Sequence, residues 1–258
     1  MRFAPVPLAV AGLLALAPSL AAQRPHEPGA IEDNSFLLEE AYNQESNEVQ
    51  HVLTFQRSRD GGEREIAFTQ EWPLWSERHQ ISYTVPYLRT PATSGFGDAE
   101  VAYRYQLSQS RAWVAPTLAV TLPTGRELLG GGRSGVEALV PVSLHLTDAF
   151  AAHTNAGVHV LAGVDDGEPT RGVSLGQSLV WLAHPRVNLM VEALWERDDT
   201  DGEVEEEFFV SPGVRGLFTV GGAQVVPGIA LPIGVGASNG DRQLFVYLSV
   251  EHAFRRGN

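Results

Sequence analysis

Ser143 and His145 stand two residues apart, and His153, Asn155 and His159 follow a short way along the chain. A hydroxyl, several imidazoles and an amide are the parts of a base-activated nucleophile, in which one imidazole withdraws the proton and a third group orients it. A lipid-hydrolysing barrel would use such a set. The same histidines invite a metal, but His153 and His159 are six residues apart. On an extended strand that spacing is about 20 Å, too far for one ion to bridge. With no cysteine in the chain, thiol nucleophiles, disulfides and thiolate-held metals are excluded. The residues ask for no metal and no cofactor.

The second set able to do chemistry is charged. Glu65, Glu71, Glu100, Glu137, Glu192, Glu196, Glu207 and Glu251 fall at alternate positions of apolar runs, as do Arg78, Arg104 and Arg215. On the inner wall of a pore, acid in excess of base would favour cations. Paired with one another, the same groups would form a ladder of ion pairs filling a narrow lumen. The run Asp198 to Glu203, with Glu205 to Glu207, could collect Ca²⁺ or bridge to lipopolysaccharide. It lacks the spacing of a calcium loop, so it reads as a solvated acidic loop. The net charge is −13 and the basic residues are scattered singly, which argues against nucleic acid as a partner.

These residues need a scaffold, and period-two alternation supplies it. Val136, Ala138, Val140, Val142, Leu144 and Leu146 share one face, with Glu137, Ser143 and His145 on the other. Leu244, Val246, Leu248 and Val250 alternate in the same way with Gln243, Ser249 and Glu251. About twelve such segments run near 49–57, 63–73, 78–88, 97–107, 112–122, 135–146, 150–162, 172–182, 186–196, 206–219, 223–233 and 242–254. Tight connections (Leu74 to Glu77, Ser108 to Arg111, Thr147 to Ala149, His184-Pro185, Gly221-Gly222) alternate with longer ones (Leu122 to Ser134, Gly163 to Arg171, Arg197 to Glu205, Pro232 to Asp241). Short turns on the periplasmic side and long loops outside are the habit of bacterial outer-membrane barrels. Trp72, Trp75, Tyr83, Tyr87, Trp113, Phe150, Trp181 and Trp195 fall near strand ends, where aromatic girdles sit. The expectation is an all-β, antiparallel transmembrane barrel of about 12 strands over 48–258.

Ahead of it, Met1-Arg2, the apolar stretch Phe3 to Pro18 and the small residues near Ala21 and Ala22 read as a secretory signal peptide over 1–22. Pro5, Pro7 and Pro18 and the short length count against a membrane anchor. Residues 23–47 form a periplasmic N-terminal segment. Its polar beginning leads to Asp33-Asn34-Ser35, cap-type residues before a short helix over Phe36 to Tyr42. Phe36, Leu37, Glu39, Glu40 and Tyr42 are candidates for a plug in the periplasmic mouth; a flap on the rim or a frayed segment are the alternatives.

Placed on these strands, Ser143, His145, His153, Asn155 and His159 all project inward with Glu137. A lipid hydrolase must meet its substrate at the lipid boundary, so polar side chains on this face read as lumen lining. The lining candidates are Glu71, Arg78, Glu100, Arg104, Glu137, His145, His153, Glu192, Arg215 and Glu251, and no catalytic residue is assigned.

Several strings carry a family resemblance. They are Asp33 to Glu45, Val49-Gln50-His51, Phe68-Thr69-Gln70-Glu71-Trp72-Pro73, Arg78-His79-Gln80, Gly97-Asp98, Tyr103 to Leu107 and Leu122-Pro123-Thr124-Gly125. Together they resemble the transporter-like outer-membrane proteins grouped under the MetA-pathway of phenol degradation. The resemblance implies a porin-like barrel that passes small molecules, hydrophobic or aromatic ones among them; it implies no enzymatic activity.

The expected function is thus passive transport across the outer membrane of a Gram-negative bacterium. A closed structural or adhesive barrel is the alternative, and a lipid-acting enzyme stands behind both. Outer-membrane lipid and lipopolysaccharide, the barrel-assembly machinery (Phe254 near the C-terminus resembles its signal) and a small solute are the expected partners.

Overall fold

The structure, a computed structural model, describes residues 31 and 33–254 apart from 60–61, 130 and 164–166. The expected signal peptide and the polar lead up to residue 30 lie outside the described residues.

Twelve antiparallel strands make one closed sheet. They are β1 (Glu48–Ser58), β2 (Arg64–Leu74), β3 (Ser76–Arg89), β4 (Ser94–Phe96, Ala99–Tyr105 and Ser108–Gln109), β5 (Trp113–Val114 and Thr117–Leu122) and β6 (Gly135–Thr147). Then follow β7 (Phe150–Leu161), β8 (Thr170–His184), β9 (Val187–Thr200), β10 (Glu203–Gly216 and Phe218–Val220), β11 (Ala223–Ala230 and Ile233–Gly234) and β12 (Gln243–Ala253). Each strand pairs with the next, and β12 returns to β1 in an unbroken register from Glu48↔Ala253 to Ser58↔Gln243. No edge strand is left, which is the condition for β-structure in lipid. β5 and β11 break beside Pro116 and Pro232, which lack the N–H that a ladder bond requires.

Burial is inverted relative to a water-soluble domain. Val158 is 56% exposed, Leu175 54% and Val191 50%, while the inward Ser143, Ser178 and Glu192 are each 0% exposed. Alternation along the strands puts the large exposed aliphatics outside and most buried polar groups inside, and a slip of one residue would exchange them. The apolar core is also inside the barrel. Phe36 packs there with Ile31, Val52, Val180, Met190, Val226, Phe245 and Tyr247.

Two expectations are corrected. Arg197 to Glu205 is not a long loop: β9 runs to Thr200, β10 starts at Glu203, and only Asp201 and Gly202 turn the chain. Both have positive φ (54° and 81°), the geometry of a tight hairpin that an Asp-Gly pair favours, and Asp199 Oδ1 accepts the Gly202 N–H at 2.9 Å. The second correction is that Phe36 to Tyr42 forms no helix, only bends. The N–H groups of Glu39 and Ala41, which a helix would pair with carbonyls four residues back, go to the barrel side chains Asn155 and Ser143, and that of Glu40 goes to Asn34 Oδ1.

Candidate functional site

Ile31 and residues 33–44 lie inside the barrel, and Glu45 to Asn47 lead out of it into β1. Most wall residues that hold this segment belong to the short-turn half of their strands, the end expected to face the periplasm, and Tyr247, Phe245 and Gly176 lie just past the middle of theirs. The Phe36 N–H points to Glu192 Oε1 and Oε2 at 3.1 and 3.3 Å, and the Leu37 N–H to Oε1 at 3.0 Å. Asn155 grips Glu39 twice, accepting its N–H at 2.9 Å and donating to its carbonyl at 2.8 Å. Ser143 Oγ accepts the Ala41 N–H at 2.8 Å. Gln106 accepts the Asn43 N–H at 3.2 Å and donates to the Ala41 carbonyl at 3.0 Å. Gln80 accepts the Gln44 N–H at 2.8 Å. The wall thus satisfies an irregular backbone that has no secondary structure of its own, as a buried segment requires.

Charge reinforces this cradle. Arg215, 1% exposed, donates through Nη1 to the carbonyls of Asp33 (2.6 Å) and Asn34 (3.0 Å), and through Nη2 to that of Ile31 (3.1 Å). Its Nη1 also meets Glu40 Oε1 at 3.0 Å. Arg104 pairs with Glu39 and donates to the Tyr42 carbonyl at 3.2 Å. Asp33 accepts from Tyr247 Oη (2.5 Å), Ser249 Oγ (2.5 Å) and Gln50 Nε2 (2.6 Å). Burial pushes the Asp33 carboxyl above its usual range, against the opposing pull of Arg215 and the two hydroxyls. The expected ladder of ion pairs is therefore corrected: Arg104 and Arg215 reach acids of the plug, not acids across the lumen.

Shape completes the fit. A Cβ built on Gly213 or Gly228 would strike the Phe36 ring, and one on Gly176 would strike Leu38. The ring sits against neighbouring β10 and β11 backbones, with Phe245 and Tyr247 at centroid distances of 5.9 and 5.8 Å. Tyr42 lies edge-on to Trp113 and His153, and its Oη is 3.3 Å from His145 Nε2.

Of the expected lining residues, Arg104, His145, His153, Glu192 and Arg215 touch the plug, and Glu71 accepts from Gln80 Nε2 at 2.6 Å and from Asn34 Nδ2 at 3.5 Å. Glu251 pairs in register with Gln50 near the periplasmic end. Arg78 is exposed at the periplasmic end of β3, outside this set. Glu100 and Glu137 stand in the long-loop half of the barrel, away from the plug, with Glu65, Glu196 and Glu207, so the wall above the plug is acidic. A cavity of about 230 Å³ opens there, lined by Gln56, Glu65, Leu88, Arg89, Leu129 and Gln243. The loop carrying Leu129 is folded over by Asp98. Its Oδ1 accepts the N–H of Gly125 (2.7 Å) and Gly132 (2.8 Å), and its Oδ2 that of Arg133 (2.9 Å).

The nucleophile reading meets a definite geometry. Ser143 Oγ is 2.7 Å from His153 Nδ1, and His153 Nε2 is 3.6 Å from Glu40 Oε1. The order hydroxyl, imidazole, carboxylate is present, yet the serine is 0% exposed and its oxygen holds the plug backbone. No lipid ester reaches it, and removing the plug would take the carboxylate away.

Tyr247 and the three wall glycines were not singled out from the sequence; Gln50, Gln80 and Gln106 stood only in the strings that carry the resemblance, and Ser249 only as an inward position of the last strand. A glycine inside a strand is the signal that could have found the last group, since it marks close approach by another chain segment.

No family model matches the chain, and no curated protein is found similar to it in sequence. Solved structures do share its fold. An outer-membrane channel from Pseudomonas putida F1 superposes with a TM-score of 0.60 at 16% identity, covering 87% of this chain and 100% of that one. The NanC porin gives 0.58 at 9% identity over 80% of this chain and 100% of its own. The KdgM porin gives 0.54 at 9% over 80% and 99%. At these identities the likeness establishes the porin-like barrel fold.

Proposed function

We propose that this chain is a porin-like channel of the bacterial outer membrane that passes small molecules passively and is closed at rest by its own N-terminal segment. One observation carries the reading: a segment continuous with β1 crosses the lumen and is bound there by side chains of the wall. A barrel built only as a scaffold could fill its lumen with its own wall residues. The folds of the three channels and porins above support the same class.

The chemistry of the wall points to the solute. Acid predominates above the plug, which favours cations or neutral molecules over anions. The sequence resemblance adds small hydrophobic or aromatic molecules to the candidates. The second reading, a permanently closed structural barrel, is favoured by the number of bonds between plug and wall.

Single-channel current separates the two. Refolded mature protein is compared in a planar bilayer with a form lacking residues 23–47. The channel reading expects discrete steps that are larger in the truncated form. Silence from both, with folding verified by heat-dependent gel mobility, removes the aqueous channel.

A further inference from the structure

The outward faces of β1 and β12 meet near the periplasmic end of the seam that closes the barrel. There His51 and His252, diagonal neighbours in the register, bring their Nε2 atoms to 3.2 Å, with rings stacked at a centroid distance of 5.3 Å. The His252 Nδ1 lies 3.0 Å from the Ala253 carbonyl. A proton held on Nδ1 by that carbonyl leaves the Nε2 lone pair of His252 free, the outer-shell arrangement that prepares a metal-binding imidazole. Phe68 stacks on the His51 ring at 6.1 Å and an interplanar angle of 21°, fixing its direction. His252 is exposed and His51 half-buried, and neither makes a bond that holds the plug.

We propose that His51 and His252 form a two-imidazole site for a tetrahedral divalent transition metal, with Zn²⁺ as the best fit. Two Zn–N bonds of ordinary length at a tetrahedral angle place their nitrogens about 3.3 Å apart. A square-planar ion, with its ligands at right angles, needs them nearer about 2.9 Å. The observed spacing matches the first. Without metal, a proton on His51 Nε2 spans the gap as a hydrogen bond; with metal, that proton moves to Nδ1 of the same ring and both lone pairs turn to the ion. The remaining two positions fall to water or to a phosphate oxygen of neighbouring lipid. Such an ion would clip the first strand to the last, across the closure that every other strand pairing depends on.

The test is titration of the refolded mature barrel in detergent with Zn²⁺ against a chromophoric chelator, and with Co²⁺ as a spectroscopic substitute. One equivalent is expected, with the intense visible absorption of tetrahedral Co²⁺. Its affinity should fall about tenfold or more in His51→Ala and in His252→Ala, and remain unchanged in His79→Ala, which alters another histidine, half-buried near the same end of the barrel. His51→Gln and His252→Gln serve if an alanine variant does not reach the heat-modifiable folded form. No binding by the wild type, or equal binding by the His51 and His252 variants, would overturn the site.

Discussion

Arg215 and Glu40 face each other at 3.0 Å across the boundary between wall and plug, with side-chain exposures of 1% and 2%. Neither charge is compensated by solvent, so each requires the other. Arg215→Met leaves Glu40 buried beside carbonyls without a counter-charge, at a cost of about 3–5 kcal/mol. We expect more frequent opening in single-channel records and a lower denaturation midpoint. Arg215→Met combined with Glu40→Gln should recover part of both losses.

The aromatic socket yields a prediction of the opposite kind, in which the wall stays and the plug leaves. Valine at Gly213 or Gly228 occupies the space of the Phe36 ring, while a β-branched residue suits a strand. Protease should then reach residues 31–47 in a barrel that still migrates as folded. Phe36→Ala should weaken docking by about 3–5 kcal/mol through the cavity it leaves. Continued protection of the segment in the valine variants and in Phe36→Ala would show that the ring does not hold it.

Proton linkage follows from Asp33. Its carboxyl is held above the usual 3.8 in the docked segment, so docking binds a proton more tightly than the released segment does. That contribution to closure is fully present below 3.8, and it is lost as pH rises through the raised value. Openings should become rarer on acidification across this window. Asp33→Asn should flatten the response, and an identical pH profile in the variant would remove Asp33 as its source.

Asp98 governs the extracellular side. Asp98→Ala strands the N–H groups of Gly125, Gly132 and Arg133, so the loop from Pro123 to Ser134 should loosen. Faster amide exchange confined to that loop, with unchanged exchange in β5 and β6, is the expected result.

The acidic wall makes a prediction about ions. Glu100→Gln with Glu137→Gln removes two charges from the lumen above the plug. The reversal potential of the truncated form in a salt gradient should move toward zero, and an unchanged value would place selectivity elsewhere.

The strands were legible because lipid and lumen impose opposite demands on successive residues. The alternation from Val136 to Leu146 locates β6 (Gly135–Thr147) to within a residue. The Asp201-Gly202 hairpin was misread because an acidic run looks like a solvated loop, although the Asp-Gly pair carried the turn signal. The helix over Phe36 to Tyr42 failed for a different reason. Its local pattern and caps are sound, but Asn155 and Ser143 take the N–H groups of Glu39 and Ala41, and Asn155 and Gln106 take the carbonyls of Glu39 and Ala41. Those partners come from three strands distant in sequence, and no local pattern announces them. For the same reason Arg104 and Arg215 were legible as inward charges, whereas their partners in the plug were not.

Asn47, with φ of 69°, turns the plug directly into β1, and its carbonyl accepts the Phe254 N–H at 2.7 Å beyond the end of β12. A released plug is therefore still leashed at the mouth it came from. Its local concentration there is on the order of millimolar, whatever the abundance of the protein. Reclosure is then a first-order event whose rate no dilution changes. A free peptide of the same sequence would have to approach that concentration to take its place.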